Sequence, residues 1–292
     1  MKPKRNIRVS VSEDEYGLVR EILHKTKGVG RPAKLTELDT LLGEWTNEFP
    51  DGDEQVSNHV KVEGKTAILS DIHIGVHDKD ALMTALRYMK KEKIETIVLN
   101  GDIIDSAALS THVRNIKPAT YLYEVDLAKR FLSNLRTEFP QARILFKEGN
   151  HEDRLNRWIH TYATHFEGMV NLKSLLELSK KEIEFVESSQ IIKHTGTWIV
   201  HGHEMKVSGG VNPARALLLK AFANTIMGHV HKTSASHGRN LNGDFIRAWT
   251  TGCLCKLQQA YMPHSHSNHG FAIINEDGEV RNMWVIGTKV EG

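Results

Sequence analysis

Beyond residue 60, short uninterrupted apolar runs alternate with amphipathic stretches. Ala67-Ile-Leu-Ser, Thr96-Ile-Val-Leu-Asn, Arg143-Ile-Leu-Phe-Lys, Trp198-Ile-Val and Thr225-Ile-Met are too short for buried helices and read as strands covered on both faces. Between them, Ala81 to Lys91 and residues 121–138 space their apolar positions as helices do. This alternation predicts α/β construction. From Phe245 onward, glycine-punctuated apolar segments predict antiparallel strands.

The beginning of the chain is patterned differently. Asn6-Ile-Arg-Val-Ser-Val alternates like a short strand, and Ser12 with Glu13 and Glu15 opens a helix running to His24. Lys27-Gly-Val-Gly-Arg-Pro breaks it. A second helix is expected from Thr36 to Phe49, with Leu38, Leu41, Leu42 and Trp45 on one face. Charge divides the same region: residues 1–34 hold nine Lys/Arg and four Asp/Glu, whereas residues 35–60 hold seven Asp/Glu and neither Lys nor Arg. Pro50-Asp-Gly-Asp-Glu reads as a hinge. The expected organisation is a small, mainly helical module over residues 1–58 and a larger domain over 59–292. The module's basic part suits nucleic-acid binding, and its acidic, Leu-rich helix suits protein contact or self-association.

Composition narrows the class without naming it. The 292 residues are 40% hydrophobic and 25% charged, with a formal charge of +2, which excludes a fibrous or wholly disordered chain. No overall field points to nucleic acid or membrane. The two cysteines, Cys253 and Cys255, stand one residue apart; they cannot staple a fold, point to a reducing compartment and read as small core hydrophobes. No apolar run reaches the ~18–20 residues of a membrane span, and the basic start lacks a signal-peptide core, so a cytoplasmic location without membrane contact is expected. Seventeen histidines are the unusual count, and their placement carries the functional argument.

Each of the five expected strands ends in a cluster of metal-capable or turn residues. These are Asp71-x-His73, Gly101-Asp102-x-x-Asp105, Gly149-Asn150-His151-Glu152, His201-Gly-His203 and Gly228-His229-x-His231. Strand carboxyl ends in open α/β sheets converge on a ligand crevice. Carboxylates and imidazoles without thiolates suit divalent ions such as Mn, Fe, Zn or Ni rather than a structural cysteine-rich zinc site. A single cluster of this kind is usually just a loop; five in this order are not.

The order D-x-H, G-D-x-x-D, G-N-H-E, H-G-H, G-H-x-H is similar to that of the calcineurin-like metallophosphoesterase superfamily. Gly149-Asn-His-Glu-Asp-Arg-Leu-Asn-Arg-Trp and Gly252-Cys-Leu-Cys resemble more particularly the small metallophosphoesterases of tailed phages and prophages, implying a bacterial or phage-infected host cytoplasm. The resemblance implies a four-layer αββα sandwich with mixed sheets. It also implies two divalent metals, Mn first, with Fe, Zn or Ni as alternatives. Asp71, His73, Asp102 and His231 would hold one ion; Asp102, Asn150, His201 and His229 would hold the other, with Asp102 as the bridge. A metal-bridged hydroxide would attack phosphorus, and His151 would act as general acid, oriented by Asp105 or, alternatively, by Glu152. His203 and His77 would stand around the ligands.

The substrate is less legible. Protein phosphatases of the superfamily carry an Arg directly after G-D-x-x-D, where this chain has Ser106, so that phosphate clamp is missing. Asp71-Ile-His-Ile-Gly resembles the D-x-H-x-G of the superfamily's nuclease branch. His112, Arg114 and Lys117 in a rim loop, with Arg154 and Arg157 on the helix after His151, could track a nucleic-acid backbone or merely be solvated. The expected activity is phosphodiester hydrolysis on DNA or RNA. A phosphatase or phosphodiesterase for nucleotides or other small phosphoesters is the enzyme alternative, and a catalytically idle adaptor is the alternative of another class.

Overall fold

The computed structural model describes residues 59–111, 119–207, 210–258 and 266–292. Residues 1–58, where a small N-terminal module is expected, and His112, Arg114 and Lys117 lie outside these residues.

Thirteen strands are described. In chain order they are β1 His59–Val62, β2 Thr66–Leu69, β3 Thr96–Asn100, β4 Arg143–Lys147, β5 Ile183–Val186, β6 Ile191–His194, β7 Thr197–Val200, β8 Thr225–Met227, β9 Ser234–Arg239, β10 Phe245–Thr250, β11 Gly270–Ile274, β12 Val280–Ile286 and β13 Lys289–Glu291. The α-helices are α1 Lys79–Lys91, α2 Tyr121–Glu138, α3 Arg154–Tyr162, the single turn α4 Leu172–Leu175, and α5 Pro213–Ala221.

The strands form two mixed sheets, a seven-stranded one ordered β13-β12-β11-β2-β3-β4-β5 and a six-stranded one ordered β1-β6-β7-β8-β10-β9. Side-chain alternation explains the layering. On β2, β3 and β4, Ala67, Leu69, Ile97, Leu99, Ile144 and Phe146 face a core shared with α1 and α2. Ile68, Val98 and Leu145, on the opposite face, meet Ile192, Ile199 and Ile226 of the second sheet. Beyond that sheet, Val200, Met227 and Ala248 pack on Leu217 and Leu218 of α5. Helix, sheet, sheet, helix is the four-layer αββα sandwich expected from the sequence. Because both sheets are covered twice, their central strands read as unbroken apolar runs.

Local signals set the helix ends. Asp78 caps α1 by accepting from the Asp80 and Ala81 backbone N–H groups, and Lys90 and Lys91 close its last turn. Thr120 caps α2, which buries Val125, Ala128, Leu132 and Leu135 along one stripe.

The five motif-bearing strands divide between the sheets: β2, β3 and β4 belong to the first, β7 and β8 to the second. The crevice therefore lies where the carboxyl ends of two sheets meet. The structure corrects one expectation: the region after Phe245 is not uniformly antiparallel. β10 runs parallel to β8 because the polar strand β9, which shows no apolar alternation, pairs antiparallel with β10 and reverses the chain before it.

Candidate metal centre

Seven side chains from the five strand ends gather in this crevice. Asp71, His73 and Asp102 present ligand atoms to one another, as do Asp102, His201 and His229, so that Asp102 belongs to both groups. His231 joins the first, its Nε2 lying 3.3 Å from Asp71 Oδ1 and 3.3 Å from His73 Nε2. Asn150 joins the second, its Oδ1 lying 3.1 Å from His201 Nε2.

The backbone is bent to deliver them. Asp71, His73, Asp102, His229 and His231 all adopt positive φ, between 49° and 67°. Non-glycine residues rarely do so, and they persist where the surroundings over-determine them. Glycines keep the space beside the candidate ligands clear. A Cβ on Gly149 would lie 2.5 Å from both the backbone nitrogen and Oδ1 of Asp102, and one on Gly228 would lie 2.6 Å from Asp71 Oδ2.

Hydrogen bonding fixes which ring nitrogens face inward. His201 Nδ1 donates to the Asn100 carbonyl oxygen at 2.8 Å, leaving the Nε2 lone pair against Asn150 Oδ1 and, at 3.3 Å, Asp102 Oδ2. His73 Nδ1 donates to Asp105 Oδ1 at 3.2 Å, so its Nε2 lone pair faces His231 Nε2. His229 Nδ1 is buried with no hydrogen-bond partner. Acceptors thus point at acceptors, an arrangement that is repulsive unless a cation or a proton lies between them. The donor set, oxygen and imidazole around a shared carboxylate, fits two divalent ions.

The charges tell the same story. Burial disfavours a charged His201, but Asp102 and Asp71 outweigh it and push the imidazole up to about 10. His231 is raised by Asp71 against burial in the same way. Asp102 is held well below the ordinary carboxylate range, against burial, by His201 and His151. His73 and His229 are lowered, chiefly by burial.

His151 stands beside these candidate ligands. Its Nδ1 donates to the Asp105 carbonyl oxygen at 2.7 Å and lies 3.2 Å from Asp105 Oδ1, while Nε2 is 3.7 Å from Asp102 Oδ2. Burial opposes its charge, yet Asp102 and Asp105 raise its pKa. Asp105 Oδ1 is thus shared between His151 and His73. Arg154 donates through Nη1 to the Asp105 carbonyl oxygen at 2.8 Å, and its Nη2 lies 3.0 Å from His151 Nε2.

Glu152 does not pair with His151. Its buried carboxylate accepts from the backbone N–H groups of Asp102, Ile103, Ile104 and Gly149 at 2.7–2.9 Å, tying the loop of Asp102 to that of Asn150. Burial and the charge of Asp102 push it up to about 7. His203 bonds Ser188 Oγ at 2.8 Å, its ring centre 5.4 Å from that of His201. His77 is a further step removed, bridging the backbone of Cys255. The cysteines are buried as expected, but Cys255 Sγ also lies 3.7 Å from His231 Nδ1, behind the ligand face.

Sequence reasoning missed Lys147 and Glu204. Lys147, fully buried, pairs with Glu204 Oε1 at 2.9 Å and donates to the Ser188 and Gln190 carbonyl oxygens. Glu204 accepts from the His201 and Gly202 N–H groups, which anchors the turn carrying His201. Burial opposes its charge, but Lys147 holds the carboxyl down to about 2. A lysine inside an apolar strand run, and a glutamate directly after H-G-H, were the available signals.

The family profile of calcineurin-like phosphoesterases matches residues 64–249. Similar solved structures include wild-type Vps29 of Entamoeba histolytica complexed with Zn2+, at 13% identity and TM-score 0.40, covering 78% of this chain and 96% of that one. YfcE, a phosphoesterase of E. coli, is 12% identical with TM-score 0.36, covering 77% and 100% respectively. A dimetal phosphatase from Danio rerio is 13% identical with TM-score 0.33, covering 72% and 91%. No curated protein sequence matches the chain. Among the described residues, no helix is long and apolar enough to cross a membrane. A profile match over well more than half the chain leaves one conclusion: the chain belongs to the calcineurin-like phosphoesterase family.

Proposed function

We propose that this protein is a dinuclear metal-dependent phosphodiesterase acting on nucleic acid, with Mn as the working ion. The observation that carries the dinuclear reading is the pair of acceptor-lined clusters sharing Asp102. Two divalent cations bound there would supply Lewis-acid activation of water and neutralisation of phosphoryl charge.

The chain's own groups do the rest. With Arg154 Nη2 turned to the substrate, His151 would carry a proton on Nε2 for the leaving oxygen, and Asp105 fixes the ring through Nδ1. Arg154 sits where a phosphoryl oxygen can take its Nη2 donor, which frees His151 Nε2 for the leaving group. Glu152 and Glu204 hold the turns that carry Asp102 and His201.

Nucleic acid is favoured over other phosphodiesters by helix α3. It begins just after Asn150 and His151, and it presents Arg157 with exposed Trp158 and Tyr162, ring centres 6.1 Å apart. Aromatic faces beside a guanidinium suit unstacked bases and the backbone that joins them. The N-terminal module would add a docking or nucleic-acid contact.

The test is metal-free protein reloaded with Mn and offered bis-p-nitrophenyl phosphate, p-nitrophenyl phosphate, and single- and double-stranded DNA. Cleavage of the diester and DNA, lost in Asp102→Ala, is expected. Monoester cleavage alone would replace this reading with a phosphatase, and inactivity on all substrates with two metals bound would favour the adaptor. His151→Ala should lose most turnover yet retain both metals; loss of metal would make His151 a ligand instead.

A further inference from the structure

A cavity of about 860 Å³ opens beside the metal centre, walled by Asn156, Lys173, Phe185, Ser189 and His203 among others. Its link to the site is short: the His203 ring centre lies 5.4 Å from that of His201 and 6.4 Å from that of His229. Neither the candidate ligands nor the acid line it, so the chemistry described above leaves it without a role. Its volume lies within the ~300–1,000 Å³ of small-molecule and cofactor pockets.

The lining says what would enter. Phe185, stacked on Phe146 with ring centres 6.3 Å apart, is a fixed apolar wall. Opposite chemistry surrounds it. Asn156 Nδ2 donates to Glu148 Oε1 at 3.0 Å, which leaves the Asn156 amide oxygen to accept from a ligand. Glu148 Oε2 is held by the Ser188 N–H at 3.2 Å, and Ser188 Oγ meets His203. The hydrogen-bonding groups are therefore preset around a flat apolar face.

Charge excludes a polyanion. Glu148, Glu187 and Glu204 line the cavity against one lysine, Lys173, and Glu204 is already paired with Lys147 beneath. A phosphodiester chain is tracked by several cationic groups, and this cavity has no such row. The occupant is uncharged, partly flat and rich in hydrogen-bonding groups.

We infer that this cavity binds the terminal nucleoside of a phosphoester whose phosphate lies at the metal centre, so that the strand ends here and does not pass through. The inference rests on the phosphodiesterase reading and deepens it. The enzyme is then end-directed, with Asn156 and Phe185 as specificity-determining residues.

The experiment uses the full chain reloaded with Mn. Thymidine 5′-(p-nitrophenyl phosphate) and methyl p-nitrophenyl phosphate share a scissile bond and differ in the nucleoside. A preference of roughly tenfold or more in kcat/KM for the nucleoside ester is expected. Ser189→Trp, which fills the cavity, and Asn156→Ala, which removes a contact without filling it, should each bring that ratio toward one with metal content unchanged. Linear single-stranded DNA should lose nucleotides from an end, and a circular strand should survive. Equal rates on the two esters, a preference that persists in both variants, or cleavage of the circle would overturn the inference while leaving the phosphodiesterase reading intact. Inactivity on both esters would instead overturn that reading, and this inference with it.

Discussion

Stripped of metal, the centre should become sharply sensitive to alkaline pH, with His201 as the main sensor. Its Nδ1 is committed to the Asn100 carbonyl, and its Nε2 lies against Asn150 Oδ1 and Asp102 Oδ2. Without a cation, only a proton on Nε2 makes these contacts attractive. Against the opposing effect of burial, Asp102 and Asp71 raise the imidazole from an ordinary 6.5 to about 10. A folded value above the unfolded one means stabilisation that is complete below the unfolded pKa and lost as pH rises through the folded one. The ~3.5-unit difference, at about 1.4 kcal/mol per unit, sets a ceiling of about 5 kcal/mol. For a domain of this size that corresponds to a fall of roughly 10–20 °C in melting temperature.

The assay is thermal and urea denaturation of chelator-treated protein from pH 7 to 10. Starting at pH 7 leaves most of the stability change due to Glu152, pushed up to about 7, below the window, because that change runs between the unfolded and folded values. His231, raised by Asp71 against burial, adds to the fall, so His201→Gln should shrink it without abolishing it. Metal-loaded protein should show a flatter profile, because the cation replaces the proton, and metal binding at pH 8 should release protons detectable by calorimetry in different buffers. An unchanged melting temperature for metal-free protein between pH 7 and 10 would refute the reasoning. So would a His201→Gln variant that falls as far as the parent.

Three further outcomes follow from the same geometry. Glu152→Gln keeps the shape but sets an amide NH2 against two of four buried N–H donors, at about 1–3 kcal/mol each; metal affinity and melting temperature should both drop, and a variant equal to the parent in both would count against the role given to Glu152. Lys147→Met strands the Glu204 carboxylate and should cost about 3–5 kcal/mol in urea denaturation, partly recovered by adding Glu204→Gln; no recovery in the double variant would mean that the pair is not the cause. Gly149→Ala pushes a methyl group into Asp102 and should lower bound metal below two per chain by elemental analysis, so full occupancy would show that the loop can yield.

Much of the site was legible because its pieces are local. The strands Thr96–Asn100, Arg143–Lys147 and Thr225–Met227 stand where their apolar runs predict, since strands covered on both faces must be apolar throughout. The motif at each strand end follows from short spacing alone. All seven expected ligand positions come together, although residues such as His73 and His231 are 158 positions apart. The expected N-terminal module and the expected rim residues His112 and Arg114 lie outside the described residues.

Taken by itself, then, the sequence determined the α/β alternation, the strand ends and the order of metal-capable groups, because each depends on neighbours within a few residues. Tertiary structure alone decided that two sheets pool their carboxyl ends, because an apolar run carries no record of which strand it will pair with. It also decided that Asp105 serves two imidazoles, that Glu152 ties two ligand loops together, and that Lys147 is neutralised by Glu204. Those roles are matters of distance and burial between segments up to 57 residues apart, and burial gives a polar group a specific partner that sequence spacing does not name.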